Sequence, residues 1–378
     1  MNRMIFGALA AALLMTGCGQ RQPPPPPAPP RFVAQPGELL HFVPVAEKLV
    51  ALSFDDGPND PCTRQLLAIC AKENVHVTFM LIGLNAAKHP DIVQEIVAGG
   101  HAIGNHSLSH PRFDRSTPAV IREEITQADA IFEKLTGQKP LLMRPPFGLY
   151  GQDYFEICRD TGHVIGGWSA AASDWNPHTP EEIAGALLDQ LAPGAIFLLH
   201  DGKETNDGPH RVASVQAVAR LIPQVKARGY RFVTIPELLA AAVAPPAAYA
   251  NGVQLLGVQW PERVASSKEV AVRMHWQLPA ALVRSSAHVW LTLRGAGGPF
   301  TFDCGLPHGG DVWKETETLK VPPPAFQPGS YTMDIALTPG DRNRNHLPCA
   351  GAWAPGHKAA AVPQPLVVTP NLTVEASP

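Results

Sequence analysis

The stretch Ser53-Phe54-Asp55-Asp56-Gly57-Pro58 places two adjacent carboxylates between an apolar run and a Gly-Pro turn. The run over residues 49–54 is typical of a fully buried strand, and the turn ends it. In barrel and doubly wound folds, the carboxyl ends of such strands carry the chemistry. Two neighbouring carboxylates are costly to bury unless a cation offsets their charge. The stretch therefore predicts a metal-dependent site at a strand end.

The elements around that stretch alternate between strands and helices across residues 45–243. Strand-like runs are predicted at residues 49–54, 75–81, 141–143, 164–168, 195–199 and 231–235. Thr117-Pro118 predicts a helix that ends at Gly137, and Thr179 with Glu182 predicts a second helix with a capping box. The alternation predicts an α/β fold with a mostly parallel sheet, here a distorted or incomplete (β/α) barrel.

The sequence changes character after Val243. Residues 244–252 are predicted to form a linker, and residues 253–378 a smaller all-β, sandwich-like domain, because apolar residues alternate along short runs there. The alternation places Trp276 in the core and leaves Trp290 on the opposite face of its strand. Exposed tryptophans would suit glycan binding, whereas packing within the domain is the commoner use of such residues.

The amino-terminal segment predicts export. Residues 1–20 combine a basic start with a short apolar run, which is typical of a signal peptide and too short to span a membrane. The segment ends in Met15-Thr16-Gly17-Cys18, which resembles a lipobox and predicts a lipid on Cys18, although an ordinary cleaved signal with an incidental cysteine is the alternative. The proline-rich residues 21–44 predict a spacer. We therefore expect an exported lipoprotein, anchored to a membrane and facing the periplasm or cell envelope.

Composition limits the partners. The formal net charge is −3, charged residues make up 17% of the chain, and the sequence contains no long basic run. A nucleic-acid partner would require a basic patch, so none is expected. Export permits disulfides, and Cys304 with Cys349 is the expected pair among the six cysteines.

A second motif supplies metal ligands. His106 and His110 are four residues apart, and on one turn of helix they would point the same way. Together with one aspartate they form a set of two imidazoles and a carboxylate, which leaves coordination positions open as a catalytic site requires. The spacing alone is a weak signal, but the paired aspartates strengthen it.

These residues carry a resemblance to a known family. The chain resembles the polysaccharide deacetylases, also called the NodB-homology or carbohydrate esterase family 4 domain, over residues 48–240. The resemblance implies that Asp55 is the general base and that Asp56, His106 and His110 bind the metal. It implies Zn²⁺, with another divalent transition metal such as Co²⁺ or Ni²⁺ as an alternative.

Three further motifs follow in the family's order. Arg144-Pro145-Pro146-Phe147-Gly148 looks like the third motif, which implies that Arg144 positions the base and that the Phe147 backbone N–H faces the oxyanion. Many members carry Tyr where Phe147 stands. The fourth and fifth motifs imply that His200 is the general acid and that Asp174 orients it.

The expected function is hydrolysis of the N-acetyl group of N-acetylglucosamine residues in peptidoglycan, an exopolysaccharide or a chitin-like glycan. Two alternatives stay open: an O-acetyl esterase of the xylan type, and a catalytically silent glycan-binding lipoprotein. We also expect Asp55 and Asp56 to point in opposite directions from an extended strand end, and His163 to lie on the surface or in a loop without a role.

Overall fold

The structure, a computed structural model, describes residues 32–151 and 153–245 and the backbone of the strands that follow, with side chains at residues 254–258 and 272–277. The strands of its first sheet are β1 (Leu39–Leu40), β2 (Leu49–Gly57), β3 (Thr78–Leu81), β4 (Ala102–Asn105), β5 (Leu142–Met143), β6 (Val164–Gly166), β7 (Ala170–Ala171), β8 (Ile196–His200) and β9 (Arg231–Val233). The α-helices are α1 (Cys62–Glu73), α2 (Gly83–Lys88), α3 (Pro90–Ala98), α4 (Pro118–Thr136), α5 (Asp153–Thr161), α6 (Pro180–Leu188), α7 (Val212–Ala227) and α8 (Ile235–Ala240).

All pairings within this sheet are parallel, in the order β1-β6-β5-β4-β3-β2-β8-β7, with β9 beside the first half of β2. The helices between the strands cover the sheet, which makes it a curled, incomplete barrel. The predicted fold class is therefore confirmed, although several strands are shorter than the runs that predict them.

The core explains why β2 is central. Every residue of β2 is buried, and its Phe54 ring packs on Phe79 of β3 with centroids 5.4 Å apart. Phe197 of β8 is fully buried on the other side. A strand that is covered on both faces needs a nearly continuous apolar run, which is the pattern that the sequence shows.

Two helices begin as the sequence predicts. Thr117 caps α4 by accepting the N–H of Val120, and Gly137 ends the helix at a φ of 75°. Thr179 and Glu182 form the capping box of α6. Helix α4 is the element that lies behind the histidine motif, so its fixed start bears on the site.

The carboxyl-terminal segment contains strands in two further sheets. A four-stranded sheet contains β10 (Ala247–Ala248), β11 (Gln254–Gln259), β13 (Val270–Gln277) and β16 (Thr316–Val321), and a five-stranded sheet contains β12 (Arg263–Ala265), β14 (Ala287–Gly295), β15 (Gly298–Asp303), β17 (Gly329–Pro339) and β18 (Leu366–Glu375). Two mostly antiparallel sheets agree with the expected all-β class, and Trp276 is buried as predicted. The domain boundaries stay predictions.

This segment contacts the first domain at the end of the sheet away from His200. The Phe42 ring stacks on His275 of β13 with centroids 4.1 Å apart. Phe42 forms an isolated β-bridge with Ala195, the residue immediately before β8, whereas His200 is the last residue of β8. The contact therefore lies near the amino ends of the strands.

Several predictions fall outside the described residues: the signal peptide, the lipid on Cys18, the Cys304–Cys349 pair and the side chain of Trp290. Among the helices of the described part of the chain, none is both long and apolar enough to cross a membrane.

Candidate active site

Polar side chains from five strands meet at one edge of the first sheet. Because the strands are parallel, their carboxyl ends all lie at this edge. The residues delivered there are Asp55 and Asp56 from β2, His106 and His110 after β4, Arg144 after β5, Asp174 after β7 and His200 at the end of β8. The structure thus brings together the side chains that the sequence assigns to one site.

The predicted metal ligands form a buried cluster. Asp56, His106 and His110 each offer one ligand atom, and these atoms lie within 4.8 Å of one another. Asp56 Oδ1 is 3.2 Å from His110 Nε2 and 3.6 Å from His106 Nε2. This is the separation expected of ligands that could converge on one small cation.

The histidine motif is a loop, and the prediction that it forms a turn of helix is wrong. Ser107 and His110 adopt left-handed φ angles of 70° and 65°, which α-helix does not allow. Asn105 Oδ1 accepts the N–H of Ser107, and Ser107 Oγ accepts the N–H of His110 at 2.9 Å. These side-chain contacts, rather than helical spacing, bring the two imidazoles together.

The expectation that Asp55 and Asp56 point in opposite directions is also wrong. Asp56 has a φ of 75°, and the register with β3 shifts between Asp55 and Gly57, so the strand end is bulged. Both carboxylates consequently face His106, whose Nε2 is 3.7 Å from Asp55 Oδ2. Their partners still differ, because Asp55 Oδ1 accepts a hydrogen bond from Arg144 at 2.5 Å.

Arg144 is fully buried and fixes Asp55 through a network. Its Nη1 also donates to Ser53 Oγ at 3.0 Å, while its Nε and Nη2 donate to the carbonyls of Gly166 and Gly167 at 2.8 and 3.0 Å. A guanidinium can satisfy such a set because its donors are fixed in a plane. The network holds the Asp55 carboxylate in place.

His200 ends the strand beside β2, where it is the register partner of Asp55, and it is oriented by Asp174. Its Nδ1–H donates to Asp174 Oδ1 at 2.8 Å, and Ser214 Oγ of α7 donates to Asp174 Oδ2 at 2.6 Å. Burial lowers the pKa of His200, but the hydrogen bond and charge of Asp174, with the charges of Asp55 and Asp56, outweigh it, so the pKa is raised overall. The arrangement favours a protonated imidazole.

Phe147 stands at the rim. The residue is 51% exposed, and its ring lies against that of His110 with centroids 4.5 Å apart. The residue has a left-handed φ of 59° within the turn at Pro146–Gly148. A non-glycine residue in this conformation marks a constrained turn, which suits a backbone N–H with a fixed direction.

The side chains present fit a bound divalent transition metal. His106 Nδ1–H donates to the carbonyl of Arg144 at 2.8 Å, which leaves Nε2 free to coordinate. Burial, with the charge of His106, lowers the pKa of His110 to about 4, so its imidazole is neutral at pH 7. Burial raises the pKa of Asp56, but its contacts with His106 and the charges of His200 and His110 hold it well below its usual range. Two imidazoles and one carboxylate are suitable ligands for zinc.

Sequence reasoning missed several supporting residues. Asn85 Nδ2 donates to the carbonyl of Asp56 at 2.8 Å, and Thr63 Oγ1 donates to buried Asp201 at 2.5 Å. Burial raises the pKa of Asp201 to about 7. Glu124 of α4 accepts hydrogen bonds from the histidine loop. Of these residues, Asp201 alone lies next to a predicted site residue, His200. Asn85, Thr63 and Glu124 are brought to the site by the fold.

His163 lies in the loop between α5 and β6, one of the two positions expected for it, but it is fully buried rather than on the surface. Its Nε2 lies 3.1 Å from Asp129 of α4, so it supports that helix.

The sequence and structure were compared with known proteins. The sequence model for polysaccharide deacetylases matches residues 43–166. A peptidoglycan-N-acetylglucosamine deacetylase of Bacillus cereus is 35% identical over 199 residues, which cover 52% of this chain and 91% of the relative. The chain belongs to the polysaccharide deacetylase family. A chitooligosaccharide deacetylase of Bradyrhizobium sp. is 34% identical over 196 residues, covering 50% of this chain and 90% of the relative.

A solved structure extends the likeness to three dimensions. The crystal structure of the Bc1960 peptidoglycan N-acetylglucosamine deacetylase, in complex with 4-naphthalen-1-yl-N-oxidanyl-benzamide, has a TM-score of 0.51 and 34% identity, and the match covers 53% of this chain and 92% of that one. These matches confirm two predictions about this member of the polysaccharide deacetylase family: it is a hydrolase, and its fold is of the NodB-homology type.

Proposed function

We propose that the chain is a metal-dependent polysaccharide N-deacetylase acting on N-acetylglucosamine residues of a cell-envelope or extracellular glycan. The observation that carries the proposal is a buried Asp56/His106/His110 set at the same strand ends as a fixed carboxylate, Asp55, and an imidazole whose pKa is raised, His200. A base and an acid close to a metal position are what hydrolysis of an unactivated amide requires. The relatives named above, which act on N-acetylated glycans by their names, support the substrate class.

Zinc is the proposed metal, with Co²⁺ or Ni²⁺ as alternatives, and would be held by Asp56, His106 and His110. When bound, such an ion polarises the carbonyl of the acetyl group and lowers the pKa of a bound water to about 7. The remaining steps belong to this chain's own residues.

Asp55 is proposed to take the proton from the attacking water. Its Oδ1 is engaged by Arg144, whereas its Oδ2 faces the metal-ligand cluster at 3.7 Å from His106 Nε2. This division leaves one carboxylate oxygen directed at the water position. Positioned acid and base groups typically contribute about 10²–10⁴-fold each.

His200 is proposed to give its proton to the leaving nitrogen. Its Nδ1–H is held by Asp174, so Nε2 carries the transferable proton. An amine is a poor leaving group unless it is protonated, so a raised pKa of His200 matters more for an amide than for an ester. The Phe147 N–H is proposed to meet the oxyanion, a contact typically worth about 3–4 kcal/mol.

The test compares acetate release by the zinc-loaded chain from N-acetyl chitooligosaccharide and from O-acetylated xylooligosaccharide. The proposal expects release from the N-acetyl glycan and its loss in Asp55→Ala. Release from the O-acetyl substrate alone would favour the esterase. Glycan binding without release from either, in wild type and variant alike, would favour the silent binding protein.

We also propose that the chain is exported and anchored by a lipid on Cys18. The support is the sequence of residues 1–20 and the spacer that follows. Mass spectrometry of the detergent-extracted protein should find an acylated cysteine as the first residue; a mature chain that begins elsewhere contradicts the anchor but leaves the reaction untouched.

A further inference from the structure

The metal loop, defined as residues 106–110, is held in an unusual backbone conformation. Its Ser107 and His110 both have positive φ angles, and neither is glycine. Such residues are uncommon, and they persist only where the surroundings fix them. In this conformation of the loop, His110 Nε2 lies 3.2 Å from Asp56 Oδ1, so the contacts that fix the loop also set the ligand geometry.

One carboxylate binds the middle of the metal loop. Glu124 Oε2 accepts the N–H of Leu108 at 3.0 Å and the N–H of Ser109 at 2.8 Å, and its Oε1 accepts Ser109 Oγ–H at 2.7 Å. These groups lie between the two histidines. Three hydrogen bonds to one side chain fix the direction in which that side chain holds the loop.

The helix that carries Glu124 is itself tied to the strand that starts the loop. Asn105, the last residue of β4, donates through Nδ2 to the carbonyl of Ile125 at 3.0 Å and to Asp129 Oδ1 at 2.8 Å. His163 lies against the same Asp129 oxygen. Glu124 therefore reaches the loop from a support that is fixed relative to His106.

We propose that Glu124 is a positioning residue of the metal centre, which holds His110 in reach of Asp56 before the metal binds. Without its carboxylate, the N–H groups of Leu108 and Ser109 lose their partner and the loop samples other conformations. Metal binding must then order the loop. The apparent metal affinity is therefore reduced in proportion to the fraction of chains whose loop already has the binding conformation. The inference rests on the proposed metal centre and not on the identity of the glycan.

The experiment measures zinc affinity by competition with a chelator, together with the visible spectrum of the Co²⁺-loaded chain. Four variants are compared with wild type: Glu124→Ala, Glu124→Asp, Glu124→Gln and the control Glu123→Ala. Glu123 is the exposed neighbour on α4, and its Oε1 accepts from Gln127 Nε2 rather than from the loop. Gln can keep the contacts, because its amide oxygen can accept both N–H groups and its NH₂ can donate to Ser109 Oγ.

The expected result is a zinc Kd weakened about 10–100-fold in Glu124→Ala and Glu124→Asp, the range for residues that support metal ligands. Their Co²⁺ spectra should change, whereas Glu124→Gln should bind close to wild type and Glu123→Ala should equal it. The aspartate keeps the charge but is one methylene short, so it decides the question if the alanine variant does not fold.

A folded Glu124→Asp that binds zinc as tightly as wild type would overturn the inference, and so would an equal loss in Glu124→Gln and Glu124→Ala. In either case zinc binding by wild type leaves the proposed function standing. Failure of the wild-type chain to bind any divalent transition metal would overturn both.

Discussion

Replacing Arg144 by methionine tests the network that holds the proposed base. The guanidinium is fully buried and donates to Asp55, Ser53, Gly166 and Gly167. Methionine fills similar space without a donor, so the change leaves a buried carboxylate and two buried carbonyls without their partner. Removing one member of a buried ion pair typically costs about 3–5 kcal/mol, because the other charge is left uncompensated.

We therefore expect Arg144→Met to lower the free energy of unfolding by about 3–5 kcal/mol, measured by urea denaturation in the presence of a chelator. Arg144→Lys is the matched control. It keeps a positive charge near Asp55 but offers a single ammonium in place of the planar fork, so its loss should be smaller. Acetate release should fall in both variants, since a misplaced base can cost about 10²-fold.

A double variant tests whether Arg144 compensates the charge of Asp55. Asp55→Asn in the Arg144→Met background removes the uncompensated charge and should recover part of the lost stability, although Asp55→Asn alone breaks the pair. If the free energy of unfolding of Arg144→Met lies within about 1 kcal/mol of the wild-type value, the loss is well below the cost of a broken buried pair. That result would refute a buried ion pair between Arg144 and Asp55. A double variant no more stable than Arg144→Met would show that the charge on Asp55 is not what Arg144 compensates.

Three further predictions follow from the site. Asp174→Asn removes the carboxylate that raises the pKa of His200. Because His200 must be protonated to act as the acid, the fall of kcat at high pH should move to lower pH. An unchanged pH profile of kcat would contradict the role of His200. Asp55→Asn should lower kcat by about 10²–10⁴-fold while zinc affinity stays near wild type, and a comparable loss of zinc would make it a ligand instead. Zinc at 100 times its Kd should stabilise the chain by about 2.7 kcal/mol in thermal or urea unfolding, and His110→Ala should abolish most of that gain.

The fold was predictable because β2 and the helices around it have recognisable patterns in the local sequence. A buried parallel strand needs a continuous apolar run, and the helices α4 and α6 carry their caps in the sequence. The site residues were predictable for a related reason: each predicted ligand or acid–base residue lies at or just after a strand end, and parallel strands bring those ends together. The family motifs then assigned their roles.

Local conformation was not predictable in the same way. Spacing alone suggested a helical turn at the histidines, but Asn105 and Glu124 hold a left-handed loop there. An extended ending was expected for β2, but Asp56 adopts a positive φ beside a bulge. Side-chain hydrogen bonds decide the loop and strand pairing decides the bulge, and periodicity reveals neither.

The buried polar partners were hidden for the same reason. Ser214 reaches Asp174 from α7 across 40 residues, and Asn85 reaches the carbonyl of Asp56 across 29. A lone serine or asparagine on a helix carries no signal of its own. No role was predicted for His163, because nothing nearby in sequence indicates its buried partner Asp129.

The central claim is that Asp56, His106 and His110 hold a catalytic metal between a base and an acid. Its most direct test is acetate release from an N-acetyl chitooligosaccharide by the chelated chain, titrated with zinc and compared with His106→Ala. We predict no release without metal, recovery that saturates at one zinc per chain, and no recovery in the variant. Release that is unaffected by chelation, or a variant as active as wild type, would contradict the claim.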